Sequence, residues 1–387
     1  MARRRIAWIR RRDEGAPAGG GDGDGRRVPE LDALRGLACL LIVLYHFKPH
    51  KLPGGWAAVD LFFVLSGYLI TAIILKYSDV RILKNFYVRR GLRIWPLYYL
   101  TVLLVAAASP LLPRPCDFRG LAAALSYTQN ASYYWSAAPT SLSAYLEHTW
   151  SLAIEEQFYL LWPPLVCLVG RRGVVPLSLA TVAVSAWARA RGYHWWLLLA
   201  RADGLALGAL LAALVPDAAR PDRRPRWLRP VLAVVGPVAL AYFVAVAVSG
   251  GMPVVGPPRW PALTVLAVNL AAVSAVGLAL CHQGRPSSRF LRRRWLVYLG
   301  TISYGVYMFH YLVITLGNDV ADSLGKTGRP FWRDVLFGTI IFAMAAVSWR
   351  YFERPILALK GRFGYGPAAA SPTLRGPHRA GKAREVV

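Results

Sequence analysis

Apolar residues run through this chain in long blocks, broken by short segments rich in arginine, proline and glycine. A bilayer core about 30 Å thick needs about 20 consecutive helical residues to cross it. By that measure the chain holds ten candidate spans, at 33–48, 57–76, 95–112, 150–169, 173–190, 195–215, 229–249, 261–281, 296–316 and 334–352. The pattern predicts an all-α, polytopic membrane bundle of about ten transmembrane helices. Residues 1–28 read as a disordered basic tail, 29–356 as the membrane domain, and 357–387 as a basic flexible tail.

Charge fixes an expected orientation. The chain carries a formal net charge of +26, which by itself suggests a nucleic-acid partner. The arginines, however, sit in short loops between apolar blocks, so lipid orientation accounts for them and no nucleic acid is expected. With the N-terminus in the cytoplasm, the inner segments carry Arg81, Lys84, Arg89, Arg90 and Arg93. Farther along they carry Arg171 and Arg172, Arg220 to Arg229, and Arg285 to Arg294. The outer loops carry only a few cations, such as Lys48, Lys51, Arg114 and Arg119. Basic segments therefore alternate with poorly charged ones, and both termini are expected in the cytoplasm. Composition agrees: 56% of residues are hydrophobic and 17% charged, as in a multi-pass membrane protein. The excess of arginine over lysine points to a GC-rich bacterial source. The four cysteines form no CxxC pair and read as small buried hydrophobes, so no metal is expected.

Ionisable groups kept inside spanning helices are candidates for function. The first span carries Arg35 and His46, about 16 Å apart along a helix axis. His310 in the ninth span lies at a depth comparable to His46. Asp60 opens the second span, Glu155 and Glu156 open the fourth, and Arg201 with Asp203 lies in the outer half of the sixth. The spans thus place two histidines and several carboxylates in one outer layer. A separate basic cluster of Arg35, Arg89, Arg90 and Arg93 lies at the inner face. Each group has a plainer reading: a packing histidine, a positive-inside anchor, or, for Arg201 and Asp203, a structural ion pair. Arginine clusters bind phosphates, and a histidine near neutrality removes hydroxyl protons. The separation of Arg35 and His46 is about the reach of a pantetheine arm, a length that suits coenzyme A and equally many other elongated ligands. The long outer loop, about 113–148, is either a re-entrant segment lining a pocket or a solvated loop with aromatic anchors such as Tyr133, Tyr134, Trp135 and the adjoining Trp150.

The segments carrying these groups resemble the integral-membrane acyltransferase type 3 family. They are Arg35-Gly36 to His46-Phe47, VDLFFVLSGYLIT, FYVRRGLRIWPLYY, HTWSLAIEEQFYLLWP, RADGLALGALLA, GTISYGVYMFH and SWRYFERP, in order over about residues 29–356. The resemblance implies a ten-helix enzyme that moves an acyl group from acyl-CoA to a hydroxyl, commonly on a sugar. It makes His46 the catalytic histidine, Arg35 its companion, and Glu155 or Glu156 the acidic group. Arg89, Arg90 and Arg93 become the cofactor-side arginines. Asp60, Arg201, Asp203 and His310 are the expected acceptor-side residues. The chain stops soon after the tenth span and is similar in length and composition to compact actinobacterial macrolide O-acyltransferases. A glycosylated macrolide is therefore the expected acceptor, with an exopolysaccharide or lipid-linked sugar as the alternative. A polytopic transporter using the same ionisable groups is the rival of another class.

Overall fold

The computed structural model describes residues 28–77, 79–113, 117–134, 143–215, 224–249, 262–326, 328 and 330–365. These residues form helices and turns, with no strand among them. In chain order the helices are α1 (Pro29–Phe47), α2 (Ala58–Tyr77), α3 (Ile82–Ala108), α4 (Phe118–Leu125) and α5 (Ser143–Leu146). After these come α6 (Trp150–Ala190), α7 (Leu198–Leu214), α8 (Leu228–Val248) and α9 (Ala262–Cys281). The last are α10 (Arg294–Ser323), α11 (Phe331–Ser348) and α12 (Arg354–Ala358).

Seven helical stretches among the described residues are long and apolar enough to cross a membrane. The chain is a multi-pass membrane protein. α1 escapes that count because Glu30, Asp32 and Arg35 fall within it, and α7 has only 17 residues, two of them Arg201 and Asp203. Expected spans four and five are one 41-residue helix, α6, interrupted at Gly170, which has φ 62°. A straight helix of that length would extend about 60 Å. Instead the Trp150 ring lies 4.8 Å from Trp195, just beyond the helix's far end, so the chain doubles back at Gly170. Glycine permits this backbone because it has no Cβ to clash at positive φ. α3 starts 13 residues before the expected boundary at 95. Hydropathy marks only the stretch that lipid would bury, whereas Arg, Lys and Leu continue a helix readily into the polar zone.

Small residues set the closest approaches. A Cβ on Gly67 of α2 would run into the Leu205 carbonyl of α7, and one on Gly208 would meet the Val64 carbonyl in return. Gly36 of α1 and Gly300 of α10 face each other in the same way, a Cβ on Gly300 colliding with the Asp32 carbonyl. Close backbone contact is how spanning helices gain dispersion energy, since lipid offers no hydrophobic drive to associate. The start of α1 is pinned by the fully buried Glu30, whose Oε1 accepts from Gly284 N (3.0 Å) and Ser288 Oγ (2.9 Å).

The outer loop divides into two kinds of residue. Its described parts pack inward: Asn130, Tyr145, Leu146, His148 and Thr149 are all buried. That matches the re-entrant reading there, while Trp135 and the side chains of Tyr133 and Tyr134 lie outside the described residues. The basic tails at 1–27 and 366–387 also lie outside them. Residues 354–362, which straddle the expected tail boundary at 357, are helical.

Candidate active site

Eleven residues separate Arg35 from His46. At about 100° per residue that is three turns plus about 20°, so both project from one face of α1, about 16 Å apart along its axis. α1 packs along α10 through the Gly36–Gly300 approach, and this brings His46 against His310, with ring centroids 4.9 Å apart. The depth read from the sequence is the depth observed.

His46 Nδ1 lies 2.8 Å from the Ile42 carbonyl, and His310 Nδ1 lies 2.7 Å from the Tyr307 carbonyl. A carbonyl oxygen only accepts, so in each neutral ring Nδ1 holds the proton and Nε2 keeps a lone pair. Both histidines are thus presented as bases at Nε2. A third histidine, which the sequence reading missed, completes the group: His148 sits 5.0 Å from His310 and stacks on Tyr311 at 5.3 Å. Its one pointer in the sequence is its place in the HTW segment just before a span.

On the arginine side, one cavity of about 80 Å³, room for several waters, is lined by Arg35, Arg90 and Arg93 together with Ser66, Glu155, Tyr304 and Tyr307. Its lining reaches Ile42, one helical turn before His46. Arg90 is held in place by a chain across three helices: it donates to the Tyr159 hydroxyl, which donates to Ser66 Oγ (2.9 Å), which donates to Glu155 Oε1 (2.8 Å). The Arg90 guanidinium also lies 4.2 Å from the centroid of the Tyr159 ring. Arg35 reaches Asp32 at 3.5 Å, one turn back on α1. Three guanidinium groups around one cavity, with Glu155 the carboxylate in its wall, make a site for an anion.

The structure rearranges several expected groupings. Glu155 does not share the histidine layer. It lies five residues into α6, opposite Ser66 in mid-helix, and joins the arginine cavity. Glu156, one residue on and therefore about 100° around the helix, leaves the cavity lining and accepts from Trp95 Nε1 at 3.1 Å. Arg89 leaves the basic cluster for the same reason. Arg90 and Arg93, three apart, share a face, whereas Arg89 donates to the carbonyls of Lys360 (3.1 Å) and Phe363 (3.3 Å) and lies 4.8 Å from the centroid of the Tyr365 ring.

Asp60, Arg201 and Asp203 form neither an open acceptor pocket nor the expected mutual pair. Arg201 pairs with Asp60 at 2.9 Å, both fully buried, and its guanidinium is boxed by the rings of Trp56, Phe63, Trp150 and Trp195 at 5.5–5.9 Å. Asp203 pairs instead with Arg189 at 2.7 Å. Residues two apart on a helix point to different sides, so Arg201 and Asp203 need separate partners. Arg189, at the far end of α6, gave no local sign of this role. Trp150, expected among the aromatic residues of the outer loop, belongs to this box.

Comparison with known proteins follows the same residues. The sequence profile of the acyltransferase-domain family matches residues 28–349. The peptidoglycan O-acetyltransferase OatA of Listeria monocytogenes is 30% identical over 360 residues, covering 85% of this chain and 56% of that protein. A Bacillus subtilis protein, YrhL, provisionally named a peptidoglycan O-acetyltransferase, is 31% identical over 370 residues, covering 86% and 55%. A provisionally named O-acetyltransferase of Staphylococcus aureus is 29% identical over 384 residues, covering 88% and 60%. The chain spans a little over half the length of these curated relatives. No solved structure matches it significantly. With its motifs in order and the family profile covering most of the bundle, the chain belongs to the type 3 family of integral-membrane acyltransferases.

Proposed function

We propose that this protein is a membrane O-acyltransferase that moves a short acyl group, acetyl being the simplest, from acyl-CoA to a sugar hydroxyl presented at the histidine end of the bundle. One observation carries the reading: a single face of α1 presents a histidine base with a free Nε2 lone pair, and three turns away an arginine-lined cavity. Arg35, Arg90 and Arg93 suit the phosphates and polarised carbonyl of an acyl thioester, because guanidinium groups bind oxyanions with charge-assisted, often bidentate bonds. Bound acyl-CoA would supply the activated acyl carbon. His46 Nε2 would take the proton from the acceptor hydroxyl as its oxygen attacks that carbon, the sulfur leaving with the bonding electron pair. The Tyr159–Ser66–Glu155 chain would hold Arg90 still, so that no side-chain ordering is needed at the reacting stage.

The acceptor class rests on the relatives, two of which are named for peptidoglycan, and this favours a cell-wall or other surface glycan. A glycosylated macrolide offers the same chemistry, a sugar hydroxyl on an amphipathic carrier, and is the competing acceptor. Deleting the gene and profiling surface glycans and secreted metabolites by mass spectrometry separates them. Loss of an acyl mass from a glycan alone supports the glycan, and its loss from a metabolite alone supports the macrolide.

The donor is tested with the arginines. Arg93→Ala should raise the KM for acetyl-CoA severalfold and leave the acceptor KM unchanged, with an effect that grows weaker at high salt. An acetyl-pantetheine lacking the nucleotide should feel the substitution much less. Equal losses for both donors would remove the phosphate role.

A further inference from the structure

The histidine cluster holds more basic nitrogens than one proton abstraction needs. His310 is fully buried and His148 is 6% exposed. Among the described residues, neither His310 Nε2 nor either ring nitrogen of His148 makes a well-formed hydrogen bond, although His148 lies against the backbone of Tyr307 and Met308. Leaving buried polar atoms unmatched is costly, so a cluster of three with lone pairs on adjoining rings calls for a use. The order in space is His46, His310, His148, with centroid spacings of 4.9 and 5.0 Å. The Tyr311 ring stacks on His148 at 5.3 Å and meets His46 edge-on at 5.4 Å, and its hydroxyl donates to Glu147 Oε2 at 2.7 Å on the protein surface. The titratable groups facing the cluster are Tyr45 from α1, Tyr307 and Tyr311 from α10, and Glu147 from the turn before α6.

We infer that His310 and His148 form a proton path leading from His46 to the surface beside Glu147, and that the hydroxyl proton of the acceptor leaves along it. The inference rests on the acyl-transfer reading above. The acceptor O–H bond breaks and its proton passes to His46 Nε2, while the new O–C(acyl) bond forms and the C–S bond breaks, its electron pair leaving with the thiolate. His46 then hands the proton to His310 Nε2. Because His310 Nδ1 is tied to the Tyr307 carbonyl, His310 receives and returns the proton at the same atom. His148, which lies against the backbone of Tyr307 and Met308 and has no side-chain partner at either nitrogen, carries it onward to Glu147 and water. The path keeps His46 from remaining charged in a low-dielectric interior, where an unpaired cation is costly. His310 and His148 are thus positioning residues for the proton and not groups that touch the acceptor.

The test uses the full-length protein reconstituted in lipid vesicles, with acetyl-CoA and a soluble cell-wall glycan fragment as substrates. His148→Gln should lower kcat about tenfold or more while leaving both KM values unchanged, because glutamine fills the space but takes no proton. His148→Ala should lose activity in the same way and regain it when millimolar imidazole is added. Wild-type kcat in either variant overturns the path. So does a loss that imidazole fails to restore in a His148→Ala protein that elutes and melts like wild type. Should the alanine variant not fold, the kcat and KM values of His148→Gln decide alone. A wild-type protein that acetylates no glycan defeats the acyl-transfer reading, whereas an active wild type with indifferent histidine variants defeats only the path.

Discussion

At the scale of single residues, two fixed hydrogen bonds say which side chains hold a proton and which accept one. His46 is tied at Nδ1 by its own helix, so Nε2 is the nitrogen left to act as the proposed base. His46→Gln should therefore lower turnover by about 10²–10⁴, the usual contribution of a general base. The protein should keep its elution volume and melting temperature in detergent, and near-normal turnover would remove the assignment. A different kind of residue surrounds Arg201. Asp60→Ala leaves a guanidinium buried without its carboxylate, and breaking such a pair costs about 3–5 kcal/mol. The variant should melt well below wild type. Replacing both partners, Asp60→Leu with Arg201→Met, should restore much of the loss, because no buried charge then remains. These residues show how unevenly the site was legible. Arg35 and His46 were readable because their spacing lies within one helix. The partner of Asp203 was not, because Arg189 meets it only after α6 doubles back at Gly170.

At the scale of elements, helix register sets the active geometry. Gly36 and Gly300 let α1 and α10 touch backbone to backbone. That contact fixes how far His46 and His310 slide past one another. Gly300→Val places a branched side chain against the Asp32 carbonyl and should push the helices apart. The expected outcome is a fall in kcat, read in the reconstituted assay, together with a lower melting temperature. Gly338→Ala gives the comparison: the nearest side chain to a Cβ there, Phe47, is about 3.8 Å away, and both readings should stay close to wild type. Elements also explain the shifted boundaries. Span prediction follows transfer free energy, so it places α3 from residue 95, whereas the helix begins at Ile82 because basic residues are good helix formers outside the hydrocarbon.

At the scale of the whole molecule, the arginine cavity and the histidine cluster follow one another along the bundle, and the positive-inside rule predicts that the basic loops face the cytoplasm. Single cysteines placed in a cysteine-free background check that assignment. A cysteine at Arg285 should react with an impermeant maleimide only in opened cells, and one at His194 should react in intact cells. Labelling at Arg285 in intact cells would invert the topology. It would also place the anion cavity on the outside, where acyl-CoA is absent.

The sequence alone determined the architecture and the main axis of the site. Membrane insertion depends on the summed hydropathy of about 20 neighbours, and a helix face on a period of 3.6, so both are local properties. Those two rules yield the apolar blocks, the all-α bundle, the shared face of Arg35 and His46, and the depth of His310. Only the tertiary structure decided which ionisable groups meet. It moved Glu155 from the histidine layer to the arginine cavity and turned Arg89 to the C-terminal segment. It also closed the aromatic box on Arg201 and drew His148 out of a loop into the core. Each of those outcomes joins residues far apart in the chain. A charge inside a low-dielectric bundle takes whichever partner packing brings within hydrogen-bond reach, and no local period records that choice.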